Sequence, residues 1–180
     1  ILTSERAAEL GRFYSEDEYD LDVLKSSGRK LMELGRSCLH PEYRGGSAML
    51  HLWQALSHFI MERDIEILFG VASFHGTQVD AIKEPLSLLY YNHLAPRELR
   101  VVAKHPHNQA MDLIVPHKLN KKRAILAVPA LIKAYLRLGG FVGEGAFVDR
   151  AFNTTDVCLV VDTAKLSERQ KQIYLQRKLK

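Results

Sequence analysis

Apolar positions along this 180-residue chain change period several times, and each change predicts an element. Met49, Leu52, Trp53, Leu56, Phe59 and Ile60 recur at helical spacing, which predicts an amphipathic helix over residues 47–63. Before it, residues 30–39 read as a strand that Pro41 stops, and Arg44-Gly45-Gly46-Ser47 makes the turn between the two. Residues 65–74 are nearly all apolar, the pattern of a central strand buried on both faces, and His75-Gly76-Thr77 closes it. Residues 80–94 predict a helix with Pro85 in its first turn and Leu86, Leu89, Tyr90 and His93 at helical spacing. Residues 99–104 and 112–115 predict strands, the second ended by Pro116. Residues 121–138 are helical in pattern, but Pro129 removes a helical hydrogen bond and predicts a break. Beyond it Leu131, Ile132, Tyr135, Leu136 and Leu138 form an apolar face that Gly139-Gly140 ends. Residues 146–148 and 157–161 predict strands, and residues 167–179 a final basic helix. At the start, residues 1–12 predict the end of a strand and a short helix. Residues 13–27, acidic with isolated apolar positions, predict a surface connection. Interleaved strands and helices predict an α/β domain over 1–164, a mixed central sheet with helices on both faces, followed by a basic tail over 165–180.

Composition narrows this picture. A content of 47% hydrophobic and 26% charged residues suits one domain with a full core. No run approaches ~18 apolar residues, so no transmembrane helix is expected, nor a secretory signal at the start. The chain opens on Ile1, so a processed or trimmed piece is expected. Cys38 and Cys158 sit inside apolar runs and read as reduced core residues of a cytoplasmic protein. The formal charge is +4, and the excess lies in the tail, where Lys165, Arg169, Lys171, Arg177, Lys178 and Lys180 face only Glu168. Such a tail suits an acidic protein, anionic lipid or nucleic acid, or is a solvated helix.

Several chemistries are excluded by pattern. The sequence has no HExxH or paired CxxC spacing for a metal, no GxSxG elbow, and no P-loop lysine after Gly45-Gly46. A strand entering a Gly-rich turn and a helix start is a phosphate-binding shape, because free N–H groups and the helix dipole point the same way. Two polar clusters remain. Glu33 and Arg36 lie inside an otherwise apolar strand and need each other or a ligand. Alternation sets them on opposite faces, and a β-bulge at Gly35 would bring them together and splay the strand. Asp149, Arg150, Asn153, Thr154, Thr155 and Asp156 suit a zwitterionic small molecule, with arginine for a carboxylate and aspartates for ammonium groups, or a well-bonded loop.

ELGRSCLHPEYR, Leu52-Trp53-Gln54, GVASFHG, LIKAYLRLGG and VDRAFNTTDV, spread over residues 30–161, resemble the ornithine N-alpha-acyltransferase family. That family belongs to the GCN5-related N-acetyltransferase (GNAT) superfamily, and its members carry further N-terminal sequence. The resemblance implies a GNAT fold with a splayed strand at 30–39. It implies transfer of a 3-hydroxyacyl chain from acyl carrier protein to the α-amine of L-ornithine, giving lyso-ornithine lipid by direct amine attack on the thioester. Glu33 is then the candidate base, beside Arg36, since the related acyl-homoserine-lactone synthases carry a similar Glu-x-x-Arg pair. Tyr90, or its neighbour Tyr91, is the candidate acid for the leaving thiolate. Leu39, Arg44, Gly45, Gly46 and Ser47 would hold the donor phosphopantetheine, and Ser73, Asp149, Arg150, Asn153, Thr154 and Asp156 the acceptor. Ser47 and Met49 stand at glycine positions of the usual superfamily loop. A pyrophosphate needs closer backbone approach than a single phosphodiester, so this turn suits a carrier protein better than coenzyme A. Arg44, Lys118, Lys121, Lys122 and Arg123 would dock the acidic carrier. No bound cofactor or metal is implied, only acyl-phosphopantetheine or acyl-CoA as co-substrate. No nucleic-acid partner is implied, and the place is the cytoplasm or the inner face of the membrane, touched by the basic tail. The rival readings are an acyltransferase for another amine, homoserine-lactone-synthase-like or acetyl-CoA dependent, and a non-catalytic module that binds carrier protein or membrane.

Overall fold

The computed structural model describes residues 1–35, 40–44 and 46–166. In chain order its elements are β1 (Leu2–Thr3), α1 (Ser4–Leu10), β2 (Tyr19–Asp20), α2 (Asp22–Lys25), β3 (Leu31–Glu33), α3 (Ala48–Arg63), β4 (Ile67–His75) and α4 (Val79–His93). There follow β5 (Val102–Ala103), β6 (Asn108–Gln109), α5 (Lys121–Ala127), α6 (Ala130–Arg137), β7 (Phe141–Val142), β8 (Ala146–Asp149) and β9 (Thr154–Asp162). One sheet runs β1-β3-β4-β9-β8-β6, with β7 also pairing β9, while β2 and β5 form a separate ribbon. Among the described strand pairs of this sheet only β3 and β4 run parallel, so the sheet is mixed and mostly antiparallel.

The apolar run at 65–74 is the central strand, as its pattern predicts. β4 pairs with β9 over nine residues, from Ile67 opposite Asp162 to His75 opposite Thr154. Alternation then sorts the two strands by face. Leu68, Ala72, Phe74, Val157, Leu159 and Val161 join a core with Leu86, Leu89, Ala124 and Ile132, under α3 to α6. Ile67, Phe69, Cys158 and Val160 join a second core with Ala7, Phe13, Tyr19, Leu21 and Leu24. Helices thus cover both faces, long ones on the first and the short α1 and α2 on the second.

Residues 13–27 are therefore not a surface connection. Phe13, Ser15, Glu18, Tyr19, Leu21 and Leu24 are all buried. A 3-10 turn at Tyr14–Asp17 and the four residues of α2 turn their irregularly spaced apolar side chains to one side, and Phe13 meets Phe69 edge-on at 5.0 Å. Of the strand expected at 30–39, the described part is β3, Leu31–Glu33. Among the described residues its parallel ladder covers Leu31–Glu33, and Leu34 N–H donates to Phe69 O at 2.8 Å; the bulge expected between Glu33 and Arg36 reaches residues outside those described. Arg36, Cys38, Leu39, Gly45 and the expected helix at 167–179 lie outside the described residues.

Other departures have local causes. Residues 112–115 form no strand, because Ser87 on α4 takes the bonds a neighbouring strand would take. Its hydroxyl donates to Met111 O and accepts from Ile114 N–H, each at 3.0 Å. The region's strand is β6 instead. Of residues 99–104 only Val102 and Ala103 pair, with β2. Pro85 lies in the interior of α4, buried, where it withholds one helical hydrogen bond. The break at Pro129 is present: Val128 is extended and Pro129 caps α6. Left-handed Gly139 ends α6, and Gly140 N–H donates to Tyr135 O at 3.1 Å.

Leu34, just after β3, lies directly over Gly70. A Cβ there would sit 2.3 Å from the Leu34 carbonyl oxygen, a backbone atom that cannot swing away. Gly70→Ala is expected to destabilise the fold by about 1–3 kcal/mol, measured by urea denaturation, with unchanged m-value.

Candidate active site

Along the second sheet face the apolar packing stops near Val71 and Cys158, and polar groups begin. Glu33, Ser73, Thr154 and Asp156 share that face by alternation and, with Val71, floor a cleft of about 300 Å³. Tyr14, Ser15 and Glu18 from the covering segment, Leu34 and Gly35 at the end of β3, and Asp149 and Phe152 from the β8–β9 hairpin complete its walls.

Glu33 is only 2% exposed. Its carboxylate accepts from Tyr14 N–H at 2.8 Å, from Ser15 N–H at 2.6 Å and from the Ser15 hydroxyl. A carboxylate has about four acceptor sites, so roughly one stays open toward the cleft. Three donors compensate the burial of this charge and fix its rotamer.

Glu18 and Asp156 differ. Glu18 Oε2 and Asp156 Oδ1 are buried without a donor among the described residues. Burial first, then the nearby Asp156, Asp149 and Asp17 carboxylates, pushes Glu18 up to about 8. Burial also raises Asp156, against hydrogen bonds from Ser73 and Thr154. The two carboxyls face each other, so one proton on Glu18 turns a repulsive contact into a hydrogen bond, and they titrate as a pair. The Glu18 carbonyl accepts from Lys104 N–H at 2.8 Å, and the buried Tyr19 hydroxyl lies 2.9 Å from the Asp156 carbonyl, which fixes both backbones. One Asp149 oxygen accepts from Ala151 N–H at 2.8 Å and Phe152 N–H at 3.0 Å, closing the hairpin turn. Glu18, Asp149 and Asp156 each bring a carboxylate oxygen within 4.8 Å of the others. That arrangement suits an ammonium group, as expected for Asp149 and Asp156, or a hard divalent cation, which no sequence spacing announced.

The fold thus gathers Glu33, Ser73, Asp149, Thr154 and Asp156, all expected from sequence, into one cleft. Arg150 lines an adjoining depression with His107 and Phe147. Asn153 lines neither; it is exposed, left-handed, and its carbonyl accepts from Gly76 N–H at 2.8 Å. The Thr155 hydroxyl donates to Gly76 O at 2.9 Å. Tyr90 packs against the core on the opposite sheet face, edge-on to Tyr91 at 5.3 Å, and does not line the cleft. Arg44, Gly46 and Ser47 line a second depression with His51 at the start of α3. Arg123 pairs with Glu84 at 3.3 Å, while Lys118, Lys121 and Lys122 are solvent-facing. Cys158 is a buried free thiol that burial pushes far up, so it is no nucleophile. Glu18, Tyr14 and Ser15 were not legible beforehand: their stretch looked solvated because acidic residues separate its apolar ones.

Residues 1–54 match the family model for an acetyltransferase (GNAT) domain. Over 177 residues, 98% of this chain and 68% of the relative, the chain is 58% identical to an L-ornithine N(alpha)-acyltransferase of Rhodobacter capsulatus. It is 40% identical, over 97% of its own length, to proteins of the same name from Brucella abortus, covering 63% of that relative, and Rhizobium meliloti, covering 60%. The chain therefore spans about two thirds of the length of these relatives or somewhat less. No solved structure matches.

The raised Glu18 has a consequence for stability. Between the ordinary carboxylate range and about 8 the folded protein keeps a proton that the unfolded chain has released, so raising the pH across this window destabilises the fold. The melting temperature is expected to fall from pH 5 to pH 8 and to level off above. Glu18→Gln should flatten that slope and raise the melting temperature at pH 8, measured by calorimetry.

Proposed function

The chain belongs to the L-ornithine N(alpha)-acyltransferase family, enzymes of the GNAT fold, and we propose that it moves a 3-hydroxyacyl chain from acyl carrier protein to the α-amine of L-ornithine, forming lyso-ornithine lipid. The observation that carries this reading is the cleft itself. It has four carboxyl groups, Glu18, Glu33, Asp149 and Asp156, and lies beside Leu34 and Gly35 at the end of the described β3–β4 ladder. An acidic cleft attracts a diamine, and the end of a strand ladder offers unpaired N–H groups for a thioester oxygen.

The chemistry needs three things. The α-ammonium must lose a proton, because only the neutral amine attacks the thioester carbonyl. The developing oxyanion needs donors, and the departing thiolate takes up a proton. Glu33, held by three donors with one acceptor site open, is the group we assign to the first need, acting directly or through a water. Arg36 is assigned to the same catalytic pair, and Leu39 and Gly45 to the donor phosphopantetheine; all three lie outside the described residues. Tyr90 is our assignment for the last need; its position across the sheet means it would act on a donor reaching past the strand end, not on the acceptor in the cleft. Ser73, Thr154 and Asp156 would hold the acceptor, with Arg150 at the rim for its carboxylate.

For the donor, the depression formed by Arg44, Gly46, Ser47 and His51 at the N-terminus of α3 offers a cationic side chain and helix-end N–H groups to one phosphodiester. The replacement of two loop glycines by Ser47 and Met49 favours phosphopantetheine over the pyrophosphate of coenzyme A. Solvent-facing Lys118, Lys121 and Lys122 suit an acidic carrier. No described helix is long and apolar enough to cross a membrane. An amphiphilic product and the basic residues of 165–180 favour work at the inner membrane surface.

The test is to incubate the full-length protein with 3-hydroxyacyl carrier protein and a panel of amino acids, following products by mass spectrometry. Acyl-ornithine as the main product is expected, and transfer to homoserine derivatives or from acetyl-CoA alone would replace this reading. Glu33→Gln is expected to lower kcat by about 10²-fold or more with little change in KM for ornithine; near-normal turnover would remove Glu33 as the base.

A further inference from the structure

Two carboxylate groups face this cleft from different ends, and they are built differently. Glu33 stands at the end of β3, opposite Phe69 of β4, with its charge satisfied by three donors. Asp156 stands opposite Ser73, four residues further along β4, which is about 13 Å at a strand rise of ~3.3 Å per residue. There it meets Glu18 and Asp149, and the two most buried members, at 8% and 4% exposure, each line the cleft with an oxygen that has no donor among the described residues. Buried acceptors without donors call for a ligand that brings N–H groups.

The reacting amine is the wrong ligand for that end. Three carboxylates around an ammonium hold it charged, and a charged amine does not attack a thioester. A second amine that must stay protonated and out of the reaction is the right one. We infer that Glu18 and Asp156, with Asp149, form the subsite for the side-chain ammonium of the acceptor, and thereby select a diamino acid and direct acylation to its α-amine at the Glu33 end. This inference rests on the reading of the chain as an acyltransferase for ornithine.

Arrival of the ammonium supplies the missing donors and replaces the proton that Glu18 carries at neutral pH, while the ammonium keeps its own three protons. Binding should therefore release roughly one proton per ornithine at pH 7. Norvaline, which has the same α-amine and carboxylate but no side-chain amine, should release none.

The experiment compares ornithine with norvaline on the full-length protein, wild type and Glu18→Gln, by kinetics and by titration calorimetry in buffers of different ionisation heat without donor. The wild type is expected to prefer ornithine in kcat/KM. Glu18→Gln should raise the KM for ornithine on the order of 10- to 100-fold, the worth of one charge-assisted hydrogen bond, leave norvaline nearly unaffected, and abolish proton release. Asp156→Asn should likewise raise the KM for ornithine. Loss of kcat on both acceptors alike, with KM unchanged, would place Glu18 at the α-amine and overturn the inference. So would norvaline binding as tightly as ornithine, or ornithine binding only when magnesium or calcium is added. If ornithine binds with proton release but is not acylated, the acyltransferase reading fails and the subsite stands. If ornithine is acylated but Glu18→Gln leaves its KM unchanged, the reverse holds.

Discussion

The nine-residue antiparallel pairing of β4 with β9 is the constraint on which the rest depends. Side chains alternate between faces with period two, so one register decides where eighteen residues point. It sends Leu68, Ala72, Phe74, Val157, Leu159 and Val161 beneath the long helices and Phe69, Val71, Ser73, Cys158 and Asp156 toward the other face. A slip of one residue would bury Asp156 among leucines and turn Leu159 to the cleft. The parallel partner β3 inherits the same order, which is how Glu33 comes to share a face with Asp156 across an intervening strand.

Burying carboxylates on such a face is costly, and the protein meets the cost in two ways. Around Glu33 the chain turns back so that two backbone N–H groups and one hydroxyl reach the charge. Around Glu18 and Asp156 no described donor closes the account, and the pair keeps a proton instead. The first arrangement gives a fixed charge with little room. The second gives a site that is poorly satisfied when empty and improves when a cation enters. Stability given up at one end of the cleft is thereby available as binding energy, the usual relation between strained polar groups and function.

Several elements were legible in the sequence because their signals are local. The apolar run at 65–74 could only be a buried strand, the spacing from Leu52 to Ile60 could only be a helix face, and Pro129 broke its helix through its own missing N–H. Asp149 and Asp156 were visible as polar residues between two apolar runs, and the hairpin of β8 and β9 did bring them to the cleft. Residues 13–27 were misread because their apolar residues follow no single period: a 3-10 turn and one turn of helix reorient them, and burial by a distant sheet selects the side that faces inward. The strand predicted at 112–115 failed because one hydroxyl of α4, 24 residues from Met111, took its bonds.

The sequence by itself determined the mixed α/β class, the central strand, the family resemblance and several residues of the cleft, since each rests on short-range pattern or on motif. Only the tertiary structure decided that Glu33 lies deep under the N-terminal segment, that Glu18 joins Asp156 from more than a hundred positions away, and that Tyr90 stands across the sheet from both. Those are matters of which face and which neighbour. They are set by strand register and by the cover laid over it, and no spacing along the chain encodes them.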